Sequence, residues 1–253
     1  MTAGPPLRHG STRAAVTGEP TGGRPRWGLA APLLALPAGI LGAAVGFAVA
    51  SALTGADGDE VTLANTVGSL VGMWVVYAGI IVATVRARGS GNVATDTGLR
   101  AQPIDLAVGT AAGLLTSIVL VRLVYLVLEV VSLVDQSDLD ELGDPAEDLT
   151  DVANGPGFVL LALFIGLGAP VVEEVFFRGF LQSAAVRRFG TVVGIGATAV
   201  IFGAVHFQLL QFPALAVFGG VLGVLAHRYG RLGPAIVAHV AFNSLTLVSL
   251  AAG

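Results

Sequence analysis

Apolar residues run along this chain in long unbroken stretches, and polar residues gather in the short segments between them. An apolar run of about 20 residues is long enough to cross a lipid bilayer as a helix. The pattern therefore predicts an all-α fold, a polytopic membrane helix bundle of about seven transmembrane helices. The predicted spans are 28–54, 61–85, 103–134, 157–182, 191–209, 213–227 and 233–250.

The segments outside these runs suggest a division of the chain. Residues 1–26 are rich in Pro, Gly, Thr and Arg and are expected to form a disordered cytoplasmic tail. Three N-terminal transmembrane helices are assigned to 27–134, an acidic extracytoplasmic loop to 135–156 and a core of four helices to 157–250.

Composition narrows the class of protein. Of the 253 residues, 54% are hydrophobic and only 12% are charged, which excludes an ordinary soluble domain and makes the lipid bilayer a partner. The net charge of −4 argues against nucleic acid as a partner. There is no cysteine, so disulfides and thiolate chemistry are excluded.

Charge is distributed unevenly between the connecting segments. Arginines flank one set of span ends, whereas acidic residues occupy the other joins, with eight of them in 135–151. Because arginine-rich ends face the cytoplasm, the N-terminus is expected inside. All 13 basic residues are arginine, and Ala, Gly and Val are frequent, which is typical of a GC-rich genome. We expect an integral protein of a bacterial plasma membrane.

Several polar side chains fall inside the predicted spans. A charge at the centre of a membrane helix costs at least ~2.5–3.5 kcal/mol, so such residues are functional candidates. Arg122 and Glu129, seven residues apart, are expected to face the bundle interior or to snorkel, in a structural role. The remaining candidates lie in the last four spans and are Glu173, Glu174, Arg178, His206, His239 and Asn243.

Helix geometry separates the two neighbouring glutamates. Glu174 and Arg178 are four residues apart and can form an ion pair, whereas Glu173 is rotated by about 100° and remains free. His239 and Asn243 are also four residues apart and share a face. A free carboxylate and one histidine can take a proton from water, while the second histidine and the amide donate to an oxyanion. The same groups could bind a divalent metal or make unrelated contacts between helices.

Three short motifs resemble those of the CPBP family of intramembrane proteases, also called the CAAX-protease and bacteriocin-processing, or Abi, family. "EEVFFR" at 173–178 resembles its EExxxR motif, "FGAVH" at 202–206 its FxxxH motif, and "HVAFN" at 239–243 its HxxxN motif. Order and spacing match across 157–250, which becomes the expected protease core. Glu174 and Arg178 match its supporting positions.

The resemblance also implies roles for the other motif residues. Glu173 and His206 match the pair thought to activate water, and His239 and Asn243 the pair thought to stabilise the oxyanion. It implies either a divalent metal such as Zn²⁺, held by Glu173, His206 and His239, or a metal-free glutamate mechanism. Hydrolysis of a peptide or protein substrate is expected inside the membrane near its cytoplasmic face, on a CAAX-type or bacteriocin-like polypeptide.

Two functions of other classes compete with the protease. The chain could be a catalytically silent scaffold or a bacteriocin self-immunity protein, for which the motif residues would be replaceable. It could also carry protons or ions through Glu173, His206 and His239. The serine, aspartate and HExxH motifs of other intramembrane proteases do not occur within the spans.

Overall fold

A computed structural model of the chain describes residues 27–56, 60–143 and 155–252. Within these ranges the backbone forms helices, turns and short connections, with no strand, which confirms the all-α fold. The predicted tail at 1–26 and most of the predicted acidic loop lie outside the described residues.

Nine helices follow one another along the described ranges, apart from one 3₁₀ turn at Glu141–Gly143. They are α1 (Ala30–Thr54), α2 (Leu63–Arg88), α3 (Val93–Thr97), α4 (Pro103–Val130), α5 (Gln136–Asp140), α6 (Pro156–Phe189), α7 (Thr191–Ala204), α8 (Phe212–Tyr229) and α9 (Gly233–Ala252). By length and composition, α1, α2, α4, α6 and α8 could each cross a membrane. The helices α7 and α9 are apolar but shorter over their described parts. Each predicted span therefore overlaps a helix. Five of these helices are long and apolar enough to cross a membrane.

The α1–α2 hairpin is closed by glycines that let the two backbones touch. A Cβ atom at Gly46 would collide with the carbonyl oxygen of Gly68, and one at Gly72 with that of Gly42. Small residues four apart are a common way for membrane helices to pack closely, because lipid provides no hydrophobic force between helices. This hairpin lies beside α6.

The buried core centres on the second half of α6. Phe176, Phe177 and Phe180 are each at most 2% exposed. The ring of Tyr77 from α2 stacks on Phe176 with 4.0 Å between centroids. Trp27 donates its Nε1–H to the carbonyl oxygen of Phe180 at 3.2 Å. These aromatic contacts fix α6 against α2 and the start of α1.

Charged residues mark the two ends of the bundle. One end, called the arginine end here, carries Arg86, Arg88, Arg100, Arg187, Arg188, Arg228 and Arg231. The opposite end, the acidic end, carries Glu60, Asp135, Asp138 and Glu141. At the arginine end, Arg231 donates its Nε–H to Asp105 Oδ2 at 3.0 Å, which ties the α8–α9 turn to α4. Hydrogen bonding to Asp105 also raises the pKa of Arg231 above its ordinary value.

Two charged residues of α4 take only one of the two placements expected for them. Arg122 and Glu129 are both exposed, so neither faces the bundle interior. Glu129 lies close to the acidic end, where its carboxylate can reach the membrane surface. Arg122 has a long side chain, which allows its charged head to snorkel towards the same surface.

Candidate active site

The six candidate residues come together from three helices. Glu173, Glu174 and Arg178 lie near the middle of α6, and His206 follows the last turn of α7. His239 and Asn243 lie on α9, one turn apart. Four of the six line a single cavity, namely Glu173, His206, His239 and Asn243. Glu174 and Arg178 are buried behind that wall.

The cavity has a volume of about 630 Å³ and a largely apolar lining. Phe202, Phe218 and Phe242 form its aromatic side, and Phe218 stacks on Phe242 with 4.0 Å between ring centroids. A pocket of this size, apolar with a few convergent polar groups, is typical of a binding or active site. It is large enough for several residues of an extended peptide.

The shape of α6 differs from a regular α-helix around the site. Its turns widen to π-helical geometry at Ala162–Gly168 and again at Val175–Gln182. Such turns are rare and frequently occur at functional sites. In the first of them, the carbonyl oxygen of Ile165 accepts a hydrogen bond from Asn243 Nδ2 at 3.0 Å. The wide turn therefore helps to hold α9 against α6.

Glu174 is the centre of a buried polar cluster. Its Oε1 atom lies 2.9 Å from Arg178 NH1, so the ion pair expected from the spacing is present. The same oxygen accepts from His239 Nδ1 at 3.0 Å. Glu174 Oε2 and Arg178 Nε are buried without a hydrogen-bond partner. Glu174 therefore joins α6 to α9.

Arg178 extends this cluster to the next helices. Its NH2 group donates to the carbonyl oxygen of Gly219 on α8 at 3.0 Å. Its guanidinium carbon lies 4.4 Å from the ring centroid of Phe202 on α7, a cation–π contact. A single arginine thus contacts three helices, which explains why it is buried despite its charge.

Glu173 has different surroundings from Glu174. Its side chain is 15% exposed, and its Oε2 atom is buried without a hydrogen-bond partner. The Nε2 atom of His239 lies 3.9 Å from that oxygen. This distance is too long for a direct hydrogen bond, but a single water can bond to both atoms across it.

The two histidines have defined tautomers. His206 Nδ1 lies 2.7 Å from the carbonyl oxygen of Phe202, and a carbonyl can only accept, so this nitrogen carries the proton. The ring of Phe202 meets the imidazole edge-on at 4.9 Å, as expected one turn earlier on the helix. His239 donates its Nδ1–H to Glu174, which leaves Nε2 directed at Glu173. When a ring carries only this one proton, its Nε2 atom can accept a hydrogen bond.

Two α9 residues that line the cavity, His239 and Asn243, also make contacts that the sequence did not predict. The prediction paired His239 with Asn243, since they share a face of α9. The structure has His239 between the two glutamates, while Asn243 contacts Ile165. The spacing of α9 residues indicates a shared face, but it cannot indicate which partner each side chain meets on α6.

Residues outside the motifs complete the cavity wall. Thr66 and Ser69 line it from α2, and Tyr125 from α4. Tyr125 donates its hydroxyl to the carbonyl oxygen of Leu210 at 2.8 Å, which fixes the loop that carries His206. Thr66 and Ser69, three residues apart within an apolar span, are the one sequence signal that could have pointed to this wall.

The residues predicted to hold a metal are Glu173, His206 and His239. In the described parts of the chain, no three His, Asp or Glu side chains are grouped closely enough to ligate one ion. The side chains therefore do not fit a preformed zinc site, which would need at least three protein ligands at ~2.0–2.2 Å.

Comparison with known proteins identifies the C-terminal part of the chain. No curated protein and no solved structure matches it. Residues 155–245 match the family model described as "Type II CAAX prenyl endopeptidase Rce1-like", which is a family of proteases. With five helices long and apolar enough to cross a membrane, this match indicates an integral membrane protein. The segment with all three motifs thus matches an Rce1-like family model, which is consistent with a CPBP-family protease, as the motifs predicted.

Proposed function

We propose that this chain is an intramembrane endopeptidase that hydrolyses a peptide bond of a membrane-associated substrate. The observation that carries the proposal is the unpartnered Glu173 oxygen on the wall of a cavity also lined by His206 and His239. A buried carboxylate oxygen without a partner is costly. Arrangements of this kind cluster at active sites, where a group must be free to take up a proton.

Glu173 is the general base in this proposal. A water that donates to its carboxylate loses that proton as the water oxygen attacks the carbonyl carbon of the substrate. His206 accepts the second hydrogen of the same water through Nε2, since its Nδ1–H is donated to Phe202. The water is then oriented by two acceptors from different helices, which lowers the entropic part of the barrier.

Attack on the carbonyl carbon leaves a negative charge on the former carbonyl oxygen. Asn243 donates one amide hydrogen to Ile165 and retains a second, which can stabilise this oxyanion. His239 has committed its Nδ1–H to Glu174, so it can donate only from Nε2, in the doubly protonated form. As the C–N bond breaks, the proton held by Glu173 passes to the leaving amine, and the products are a carboxylic acid and an amine.

The route passes through no metal ion, because the described side chains do not group as three ligands. A requirement for a divalent metal stays a prediction that chelation tests directly. The substrate is proposed to be an apolar polypeptide, CAAX-type or bacteriocin-like. Two observations support this substrate class. The cavity lining is apolar, and residues 155–245 match the Rce1-like family model.

The test is cleavage of fluorogenic peptides by the purified protein in lipid nanodiscs. The panel holds an apolar membrane-inserting peptide and a CAAX peptide with and without a farnesyl group. Wild type is compared with Glu173→Gln, each with and without chelator. Glu129→Gln is the matched control, because Glu129 is also a glutamate of a long apolar helix but does not line the cavity.

Three outcomes separate the mechanisms. Loss of cleavage in Glu173→Gln alone supports the route above. Loss in Glu173→Gln and on chelation, with recovery when metal is added back, supports a metalloprotease with the same base. Equal cleavage by wild type and Glu173→Gln contradicts the proposal and favours a scaffold.

A further inference from the structure

A second cavity lies at the arginine end of the bundle, separate from the active-site cavity. It has a volume of about 280 Å³. The two cavities share no lining residue, and the second has the more polar lining. It is formed by α3 with the connection that follows, the second half of α6, and the end of α8 with its turn into α9. Because ligand pockets usually begin at ~300 Å³, this cavity suits a small polar group better than a peptide.

Two buried side chains of this cavity have unused hydrogen-bonding atoms. Arg178 and Gln182, four residues apart on α6, are 3% and 4% exposed and belong to its lining. Arg178 Nε and Gln182 Oε1 are both buried without a hydrogen-bond partner. Buried polar atoms of native proteins are nearly always paired, so two unpaired atoms beside one cavity point to an occupant that bonds to them.

Positive charge predominates around the cavity. Arg100, Arg178 and Arg231 line it, against a single carboxylate, that of Asp96. The same holds for the arginine end as a whole, where seven arginines accompany only two acidic residues within the described ranges, Asp96 and Asp105. An excess of one sign of charge around a cavity raises the local concentration of ions of the opposite sign. This cavity therefore favours an anion.

Arg100 provides an uncommitted cation at the mouth of the cavity. Its side chain is exposed, and its one hydrogen bond is long, from NH2 to the carbonyl oxygen of Gly230 at 3.4 Å. The remaining N–H groups of the guanidinium are free to bond to a ligand. Arginine binds phosphate oxygens through parallel N–H···O bonds, and basic pockets between membrane helices bind the phosphate of lipid headgroups.

We propose that this second cavity binds a phosphate group, carried either by a lipid headgroup or by free inorganic phosphate. Arg100 contacts the phosphate at the mouth and Arg178 contacts it at the buried side. Gln182 Oε1 accepts a hydrogen bond from a water that accompanies the phosphate. Binding at this site does not depend on the proposed protease function.

Arg178 would connect this ligand to the candidate active site. Its NH1 group bonds to Glu174, and the same carboxylate oxygen accepts from His239, which lines the active-site cavity. The phosphate and Glu174 therefore share one guanidinium. Two ligands of one group influence each other's affinity reciprocally, so a change at Glu174 must alter phosphate binding.

The test is thermal unfolding of the purified protein in maltoside micelles, which contain no phosphate. One series adds inorganic phosphate at constant ionic strength, with chloride as the replaced anion. A second series adds phosphatidylglycerol, against diacylglycerol with the same acyl chains and no phosphate. A ligand that binds only the folded protein raises its melting temperature with concentration, so each series gives a dissociation constant.

Three variants locate the ligand. Arg100→Gln removes the charge at the mouth, and Thr95→Glu adds a carboxylate at an exposed position of the same lining. Arg188→Gln is the matched control, because Arg188 is an exposed arginine of the same end that does not line the cavity.

The expected result is a saturable rise in melting temperature for wild type and Arg188→Gln. Arg100→Gln should raise the dissociation constant about tenfold or more, the usual effect of losing a hydrogen bond from a charged group. Thr95→Glu should also weaken binding, because like charges repel. A response to inorganic phosphate supports a free anion as ligand, and a response to phosphatidylglycerol alone supports a lipid headgroup. No rise in either series, or equal dissociation constants in wild type and Arg100→Gln, would overturn the proposal.

Glu174→Gln tests the contact at the buried side. Without the competing carboxylate, Arg178 should hold phosphate more tightly than in wild type, even though the unliganded variant melts at a lower temperature. An unchanged dissociation constant would overturn the proposed site, because the ligand would then contact only surface arginines. The measurement needs no hydrolysis, so its outcome and that of the cleavage assay are independent.

Discussion

Glu173 and Glu174 are consecutive residues of α6 with opposite surroundings. Glu174 is fully buried, and its Oε1 atom contacts both Arg178 and His239. Glu173 is partly exposed to the cavity, and its Oε2 atom has no hydrogen-bond partner. A rotation of about 100° along one helix is enough to produce this difference. One carboxylate joins helices, and its neighbour is left free for chemistry.

The same contrast holds for the two halves of the bundle. Towards the arginine end, aromatic side chains of α6 are packed closely, as in the contact of Phe176 with Tyr77, and the cavity beside Arg178 has a volume of only about 280 Å³. Towards the acidic end, the helices separate around a cavity of about 630 Å³. A rigid half that positions a catalytic group beside an open half that admits a substrate is a general design for active sites.

The largest effect is expected from removing the charge of Glu173. Glu173→Gln should lower kcat by roughly 10²–10⁴-fold, which is the usual contribution of a general base. Its melting temperature should stay within the error of the wild-type value, because the amide keeps the shape of the side chain and Glu173 Oε2 makes no hydrogen bond. Peptide cleavage in nanodiscs measures kcat, and thermal unfolding in the same nanodiscs measures the melting temperature. A large fall in melting temperature would place Glu173 among the structural residues instead.

The next effect concerns the buried ion pair. Glu174→Ala should lower the free energy of unfolding by ~3–5 kcal/mol, because Arg178 remains buried without its carboxylate. The double variant Glu174→Leu/Arg178→Met should recover much of this loss, since apolar side chains of similar volume often replace a buried pair. Equilibrium unfolding in mild detergent measures each change.

The double variant also tests whether Glu174 has a role in activity besides its role in stability. It should stay slow in peptide cleavage even when it is stable, because His239 has lost the acceptor that orients its ring. Recovery of activity together with stability would mean that Glu174 acts only as a packing residue. A loss of stability in Glu174→Ala no larger than the loss in Glu129→Gln would contradict the ion-pair account.

Asn243 is expected to produce a smaller effect. Asn243→Ala should lower kcat by roughly 10²-fold through loss of one oxyanion donor, with little change in KM. It also removes the hydrogen bond to Ile165, so a modest loss of stability is expected. Steady-state kinetics separate the two roles. A fall in melting temperature with kcat unchanged would show that the amide only holds α9 to α6.

The smallest effect is expected at the edge of the open half. Tyr125→Phe removes the hydrogen bond from its hydroxyl to the carbonyl oxygen of Leu210, which should cost ~0.6–1.5 kcal/mol. The loop that carries His206 would then be less fixed, and KM should rise more than kcat falls. Tyr229→Phe is the control, because Tyr229 ends α8 at the arginine end and does not line the cavity. Equal kinetic effects of both variants would contradict the distinction between the halves.

The sequence predicted the local contacts of the site better than the shape of the cavity. Charged and polar side chains within apolar spans are costly, so Glu173, Arg178 and His239 could be identified from their positions along the chain. The ion pair of Glu174 with Arg178 followed from helix spacing and is present. These features depend on local periodicity, which a sequence displays directly.

The cavity walls from α2 and α4 could not be predicted in the same way. In a bilayer, a helix is apolar on the side that faces lipid as well as on the side that faces protein, so hydrophobicity does not reveal the inner face. Tyr125 and Thr66 line the cavity, yet neither belongs to a motif. Of the two placements expected for Arg122 and Glu129, inward or snorkelling, only the inward one is contradicted by their exposure. The number of membrane spans also depends on whether the 14 residues of α7 cross.

The most direct test compares Glu173→Gln and Glu174→Gln in one preparation, with peptide cleavage and thermal unfolding measured on each. The two substitutions are chemically identical and occur at neighbouring positions, so only their surroundings differ. The account predicts that Glu173→Gln loses cleavage and keeps its melting temperature, while Glu174→Gln loses melting temperature. Cleavage that survives in Glu173→Gln, or equal losses of stability in both variants, would contradict it.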